Sequence, residues 1–381
     1  MIEGLAPDGL YVGRAWRSGI GPCLVVLRDG DVIDITSHQA PTMRDLMELP
    51  DPAAHARAAS GEAIGSLAAL AAQSVETATG DATRLLAPSD LQAVKACGVT
   101  FARSMVERVI EEQAEGDPAR AATIRREVEA VVGDSLKNLQ PGSEKAMQVK
   151  DKLIAAGMWS QYLEVGIGKD AEVFSKAQPM SAVGWGAAVG LHPMSQWNNP
   201  EPEVVLVVNS RGEIKGATIG NDVNLRDVEG RSALLLGKAK DNNASAALGP
   251  FIRLFDDSYD LDAVSNTDLD LIVEGEDGFV LNGKSTMREI SRTPADLASQ
   301  TLGDFHQYPD GFVLYLGTLF APTEDRDGKD QGFTHKLGDK VTIRATGLGE
   351  LTNTVRLSTQ APRWEFGTAD LMRNLSGRGL I

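Results

Sequence analysis

The chain has 381 residues, of which 42% are hydrophobic and 24% charged, the balance of a folded protein with two or three domains. Acidic residues outnumber basic ones 53 to 37, and the net charge of −16 repels phosphate backbones, so nucleic acid is not an expected partner. No apolar run reaches the roughly 18 residues of a membrane span, and Cys23 and Cys97 share no metal spacing. The opening MIEGLAPDGL lacks the pattern of a signal peptide, which makes the cytoplasm the expected compartment and a membrane partner unexpected.

In chain order, CLVVLRDGDVIDIT (Cys23 to Thr36) sets two apolar stretches around Arg28-Asp29-Gly30-Asp31, a hairpin signal. The Ala-rich stretch from Pro52 to Thr77 has weak helical periodicity, and composition shifts near Leu86-Ala87-Pro88-Ser89. This predicts a small N-terminal α/β domain over 1–88 and a catalytic domain over 89–381. Val106, Val109 and Ile110, then Ile124, Val128, Val131 and Val132, recur at spacings of 3 and 4, which predicts a helical insertion or cap over about 104–157. From Tyr162 the texture becomes short strands and turns. EVVLVVN (Glu203 to Asn209) is a continuous β-branched run, hence a strand buried on both faces, and LDLIVEG, GFVLYLG and KVTIRAT look similar. Helical patterns do not alternate with these strands, so the second half reads as antiparallel or mixed β.

Gly278 to Ser285 formally fits the phosphate-loop pattern G-x-x-x-x-G-K-S. The acidic turn Glu274-Gly275-Glu276-Asp277 precedes it, and Phe279, Val280 and Leu281 read as a strand, so a hairpin is the better reading.

The informative stretch runs from Trp197 to Gly230. Glu201 and Glu203 flank Pro202, and on an extended chain residues i and i+2 point to one face. A hairpin centred on Arg211 would set position 221 opposite Glu201, with Asp222 beside it. Three carboxylates converging at a partly buried hairpin end would repel one another. A divalent cation is the simplest neutraliser, and all-oxygen ligation suits Mg²⁺, with Mn²⁺ or Ca²⁺ as substitutes. The plainer alternative is a set of solvated acids at a strand end.

Taken together, E-x-E, an apolar strand, GNDVNLRD (Gly220 to Asp227), a lysine and Leu248-Gly249-Pro250 resemble the fumarylacetoacetate hydrolase superfamily from about Leu86 onward. Its sugar-acid branch, the 2-keto-3-deoxy-pentonate dehydratases, is similar over nearly the whole chain, through MWSQYLEVGIG, SQWNNPEPEVVL, GNDVNLRDVEGRSALLL and KAKDNNAS. The resemblance implies an α+β fold: a mixed β-roll catalytic domain with a smaller N-terminal domain and a helical cap. It implies Glu201, Glu203 and Asp222 as metal ligands and Lys240 as the family lysine. Thr318, after Gly317, matches the G-T near the bound keto acid, and Arg226 the arginine of N-D-V-x-x-R-D. Glu172 and Lys176, in AEVFSKA, match P-E-x-F-x-K, with Ala171 in place of the proline. Hydrolases of the superfamily carry N-Y-x-x-H-x-x-E on a lid helix. Thr100 to Glu107 corresponds to it, retaining Glu107 but placing Ser104 at the histidine position, which counts against hydrolysis.

The implied activity is Mg²⁺-assisted dehydration of a 2-keto-3-deoxy sugar acid, with the D-pentonate favoured, to 2-oxoglutarate semialdehyde. Lys240 would be either the base or a charged holder of substrate or ligands. Glu172 and Glu107 are further proton-transfer candidates. Arg226, Thr318, Lys176 and Ser104 would bind substrate, and His306, in the loop HQYPDGF with Tyr308, would contact its hydroxyls. The alternatives are a hydrolase or decarboxylase of the same superfamily, or a non-catalytic keto-acid-binding protein. A homodimer or homotetramer is the expected assembly.

Overall fold

The computed structural model describes residues 2–115, 117, 120–121, 124, 139–155, 159–319, 322, 324–328 and 331–381. The N-terminal strands are β1 (Tyr11–Arg17), β2 (Gly21–Arg28), β3 (Asp31–Asp34), β4 (Glu62–Ser66) and β5 (Arg84–Leu86). There follow β6 (Ala93–Gly98), β7 (Glu172–Ala177), β8 (Ala188–Leu191), β9 (Pro202–Val208), β10 (Ile214–Asp222) and β11 (Ala246–Leu254). The last are β12 (Asp268–Glu274), β13 (Val280–Thr286), β14 (Phe312–Tyr315), β15 (Lys340–Ala345) and β16 (Gly349–Leu357). An 11-stranded mixed sheet runs β4-β3-β2-β1-β11-β10-β9-β14-β6-β7, with β5 also paired to β1, and a 5-stranded sheet runs β13-β12-β15-β16-β8.

The expected hairpin at Arg28–Asp31 forms: Asp29 and Gly30 take φ of 50° and 85°, the left-handed pair that a two-residue turn needs. The Ala-rich stretch divides into helices Pro52–Ala58 and Leu67–Gln73, with β4 between them pairing on the edge of β3. Tertiary pairing thus overrides the helical composition of Glu62–Ser66. The large sheet continues across residue 88, since β1 pairs with β11 at Tyr11↔Arg253 and Val12↔Ile252. In the expected cap, helices cover Ala102–Gln113 and Glu144–Ala155. Val128, Val131 and Val132 lie outside the described residues. The phosphate-loop look-alike is the β12–β13 hairpin, closed by the Gly275 amide donating to the Phe279 carbonyl at 2.9 Å.

β9 explains the central packing. All seven of its residues are buried. Val204, Leu206 and Val208 face the core shared with the smaller sheet, through Leu271, Ile343 and Leu351. Val205 and Val207 face a second core with Leu46, Met47 and Tyr315. The strand alternation continues upstream, so Glu203 and Glu201 stand on the Val205–Val207 face, at its end.

Candidate active site

The acidic cluster is built by register. Near the turn, Ile214 faces Val208, but Gly216 faces Val207, because Lys215 is an extra residue bulged out of β10. The shift carries through to Gly220↔Glu203 and Asn221↔Pro202, and the Asp222 amide donates to the Glu201 carbonyl at 3.1 Å. Asp222 is therefore opposite Glu201. The unbulged register expected from the sequence would set Asn221 there and turn Asp222 to the other face. The bulge brings all three carboxylates to one side.

Glu201, Glu203 and Asp222 are at most 3% exposed. Each offers a carboxylate oxygen, and these atoms lie within 4.8 Å of one another. Octahedral oxygen ligands at about 2.1 Å from Mg²⁺ stand roughly 3 to 4 Å apart, so this donor set fits a small hard cation. Glu203 accepts from the Gly317 amide at 2.7 Å. Gly317 has φ of 91°, and a Cβ there would lie 2.0 Å from Thr100 Oγ1, so only glycine presents its amide in this way. The Asn221 side chain accepts from the Glu201 amide at 3.1 Å, which fixes the strand end.

Three cationic side chains answer the cluster. Lys240 Nζ lies 2.5 Å from Glu201 Oε2 and 3.1 Å from Asp222 Oδ2. Lys176 Nζ lies 2.9 Å from Asp222 Oδ1. Arg108 lies 2.6 Å from Glu201 Oε1 and 2.8 Å from Glu229 Oε2. Burial alone would lower the Lys240 pKa, but Asp222, Glu201 and Glu229 outweigh it and hold the ammonium protonated. Burial likewise opposes ionisation of Glu201, yet Lys240 and Arg108 keep it below the usual range. Glu203 goes the other way: burial, then Asp222 and Glu201, push its carboxyl well up. Such a set of acids, too many for its cations, is the electrostatic setting that a divalent ion relieves.

Glu172 opens β7 opposite Gly98. Gly98 lines the cavity, and a Cβ there would fall 1.9 Å from Glu172 Oε2, so the glycine makes room for this carboxyl. Burial, with Glu229 adding to it, raises Glu172 to about 7, a value suited to moving protons near neutrality. The cavity measures about 20 Å³, room for about one water.

Several sequence expectations meet here. Lys240 and Thr318 line the cavity with the three carboxylates. Lys240 sits on a short helix, Leu236–Lys240, not on an extended segment. Glu107 is buried rather than on an open helix surface, and lies 3.6 Å from Arg226.

Three of the residues expected to bind substrate do not line the cavity. Lys176 has no exposed surface, and its ammonium donates to the Val223 and Lys240 carbonyls and to Ser245 Oγ behind Asp222. Arg226 is 1% exposed, lies over the Trp197 ring and donates to the Pro322 carbonyl. Lys176 thus backs Asp222, whereas Arg226 is tied to Trp197, Pro322 and Glu107. His306 is exposed in the loop before β14, whose first residue, Phe312, pairs with Val208. The carboxylates are at the other end of that pairing, about 17 Å along the strand from Val208 to Glu203, so His306 is remote from them. The Ser104 side chain lies outside the described residues.

Arg108 and Glu229 escaped the sequence reading. Their signals were slight: Arg108 follows Glu107 on the lid helix, and Glu229 comes three residues after Arg226. Asn224, whose side-chain amide donates to Glu201 Oε1 at 3.2 Å, was hidden inside GNDVNLRD.

Comparison with known proteins gives the lineage. Residues 167–356 match the family described as fumarylacetoacetate (FAA) hydrolase C-terminal. The chain is 31% identical over 200 residues, 52% of its length and 65% of the relative's, to the "Probable 2-keto-3-deoxyxylonate dehydratase" of Haloferax volcanii. It is 32% identical over 188 residues, 49% of its length and 58% of the relative's, to the "2-dehydro-3-deoxy-D-arabinonate dehydratase" of Saccharolobus solfataricus. The chain thus spans less than two thirds of the length of these relatives. The solved apo form of 2-keto-3-deoxy-D-arabinonate dehydratase superposes with a TM-score of 0.63 at 22% identity, covering 91% of this chain and 98% of that one. A structure of that dehydratase complexed with magnesium and 2,5-dioxopentanoate gives 0.61 at 22% identity, with the same two coverages. At that identity the likeness establishes a shared fold. Residues 167–356, which include the strands that carry the acidic cluster, thus form a domain of the fumarylacetoacetate hydrolase family.

Proposed function

We propose that the protein is a divalent-cation-dependent hydro-lyase that dehydrates a 2-keto-3-deoxy-pentonate, the D epimer, to 2-oxoglutarate semialdehyde and water. The observation that carries this reading is the buried Glu201–Glu203–Asp222 triad facing Lys240, in a chain whose relatives are named as dehydratases of such acids. Ser104 at the histidine position of the hydrolases supports dehydration over hydrolysis. The same reading makes the protein a cytoplasmic homodimer or homotetramer, with 1–88 as an N-terminal domain whose strands extend the large sheet of 89–381.

Mg²⁺ held by the triad, with Mn²⁺ or Ca²⁺ able to substitute, would supply Lewis acidity toward the C2 carbonyl oxygen and make the C3 proton acidic. Protonated Lys240 keeps Glu201 and Asp222 in place and offers positive charge to the keto-acid oxygens. Thr318, on the cavity wall, is the group for the substrate carboxylate. Glu172, raised to about 7, takes the C3 proton and returns it toward the departing C4 hydroxyl. Loss of that proton and the C4 hydroxyl as water leaves a C3–C4 double bond. Isomerisation of the resulting allylic alcohol puts the aldehyde at C5, so atoms balance with one water released. Glu107 acts through Arg226, as a positioning residue.

The test is turnover by metal-stripped protein given each C4 epimer, with and without Mg²⁺, followed by semialdehyde formation. Mg²⁺-dependent product from the D epimer, reduced to background by Glu203→Gln, is the expected result. No product from either epimer, while Mn²⁺ still binds, would sink the dehydratase reading and direct attention to decarboxylation of other 2-keto acids.

A further inference from the structure

The helix Ala102–Gln113 reaches the acidic cluster through the long side chain of Arg108. Its apolar side, Met105, Val109 and Ile110, is buried in a separate cluster with Tyr162, Leu163 and Ile167. From its other side Arg108, 12% exposed, places one guanidinium nitrogen on Glu201 and another on Glu229. Arg108 is also part of the wall of the cavity. Both oxygens of Glu201 are thereby engaged: Oε1 by Arg108 and Asn224, Oε2 by Lys240. The remaining cavity, about 20 Å³, admits a water but not a five-carbon acid.

A cation that takes an oxygen of Glu201 must therefore compete with side-chain cations already there. Lys240 is poorly placed to yield. Its other partner, Asp222, is itself a member of the triad, and its short helix is pinned where the Lys240 carbonyl accepts from Lys176. Arg108 is better placed, because Glu229 receives its second nitrogen and retains it after Glu201 is released. The two-carboxylate grip is what a side chain needs to let go of one partner without becoming a buried unpaired charge.

Resting on the metal-dependent reading above, we propose that Arg108 is a positioning residue that latches the helix Ala102–Gln113 to Glu201 and hands that carboxylate over when a divalent cation occupies the triad, staying anchored on Glu229. Cation loading and opening of the cavity to substrate are then one coupled event. Coupling of two sites through a shared carboxylate is reciprocal: whatever weakens the latch strengthens cation binding.

The probe is Mn²⁺ alone, titrated into metal-free protein and followed by the electron paramagnetic resonance of the free ion. Amide hydrogen exchange of the helix peptide is measured in parallel. Arg108→Gln removes the competitor and tightens Mn²⁺ binding, by about five- to tenfold in the range usual for such coupling. Arg108→Lys, which keeps the charge, stays near the parent affinity and serves if the glutamine variant folds poorly. Adding Mn²⁺ to the parent speeds exchange in the helix, and the glutamine variant shows fast exchange with or without Mn²⁺. If Arg108 only propped the carboxylates in place, Arg108→Gln would weaken binding, and that result overturns the proposal, as does helix exchange indifferent to Mn²⁺ in the parent. Mn²⁺ that fails to bind the parent, or binds equally to Glu203→Gln, overturns the metal reading as well. Those results are distinct from a triad that binds normally without any response from Arg108.

Discussion

The two halves of the candidate site are held by different forces. The carboxylates stand on β9 and β10, where backbone hydrogen bonds set their spacing and a bulge at Lys215 sets their face. Main-chain ladders leave such side chains little freedom. The helix Ala102–Gln113 packs instead in its own apolar cluster and reaches the site through Glu107–Arg226 and Arg108–Glu201–Glu229. Ion pairs are sensitive to geometry and to rival charges. The contrast teaches a division of labour: the sheet fixes where chemistry can occur, and the helix decides, through exchangeable side-chain contacts, when the cavity is open.

The largest effect should come from breaking the sheet half. Gly317→Ala forces a side chain into a φ of 91° and onto Thr100 Oγ1, and pulls the amide away from Glu203. Destabilisation of about 3 kcal/mol is expected from strain plus clash, with Mn²⁺ binding lost along with turnover. Denaturant unfolding and a Mn²⁺ titration check both; retained binding would show that the carboxylates do not depend on this loop.

Breaking the helix half should cost less at the triad. Met105 is 2% exposed, with its sulfur against Gly166. Met105→Ala should destabilise by about 2–3 kcal/mol through the cavity it leaves. Mn²⁺ affinity should stay at or above that of the parent while turnover falls. Parallel losses of affinity and turnover would show that the two halves are a single unit.

This division also explains how far the sequence could be read. The β-branched run of Glu203 to Asn209 announces a strand buried on both faces, and E-x-E at its head announces paired carboxylates. The β-rich second half and the paired glutamates were legible for that reason, while the α+β class and the role of Asp222 came from the family resemblance. The exact register was not, because nothing in the composition around Lys215 marks it as a bulge. The helix that carries Lys240, Leu236–Lys240, was not foreseen because LGKAK is too short to show a period. His306 was drawn toward the site by its closeness in sequence to β14, but it precedes the start of that strand, whereas Gly317 and Thr318 follow its end at Tyr315. Lys176 and Arg226 match motif positions, yet only packing shows that Lys176 backs Asp222 and that Arg226 is buried against Trp197 and Glu107. Arg108 depends on how a helix docks on a sheet, and no local pattern encodes that angle.

Glu172 gives the finest test, since it lies on the sheet yet feels the charges that the helix controls. Its carboxyl is raised from 4.5 to about 7, first by burial and then by Glu229. An acid whose folded pKa exceeds its unfolded value binds more protons when folded, so the protein loses stability as pH rises from 4.5 toward 7, and the penalty is complete above that. Glu172→Gln removes the penalty. In metal-free protein the variant should match the parent near pH 4.5 and become the more stable of the two by pH 8. An advantage of about 1–2 kcal/mol is expected once solvent screening of this half-buried group is allowed for. Urea unfolding across that range measures it. Because Arg108 lowers the Glu172 pKa, adding Arg108→Gln should enlarge the gap above pH 7. An unchanged gap would show that the helix charge does not reach this carboxyl, and would confine the coupling between the two halves to Glu201.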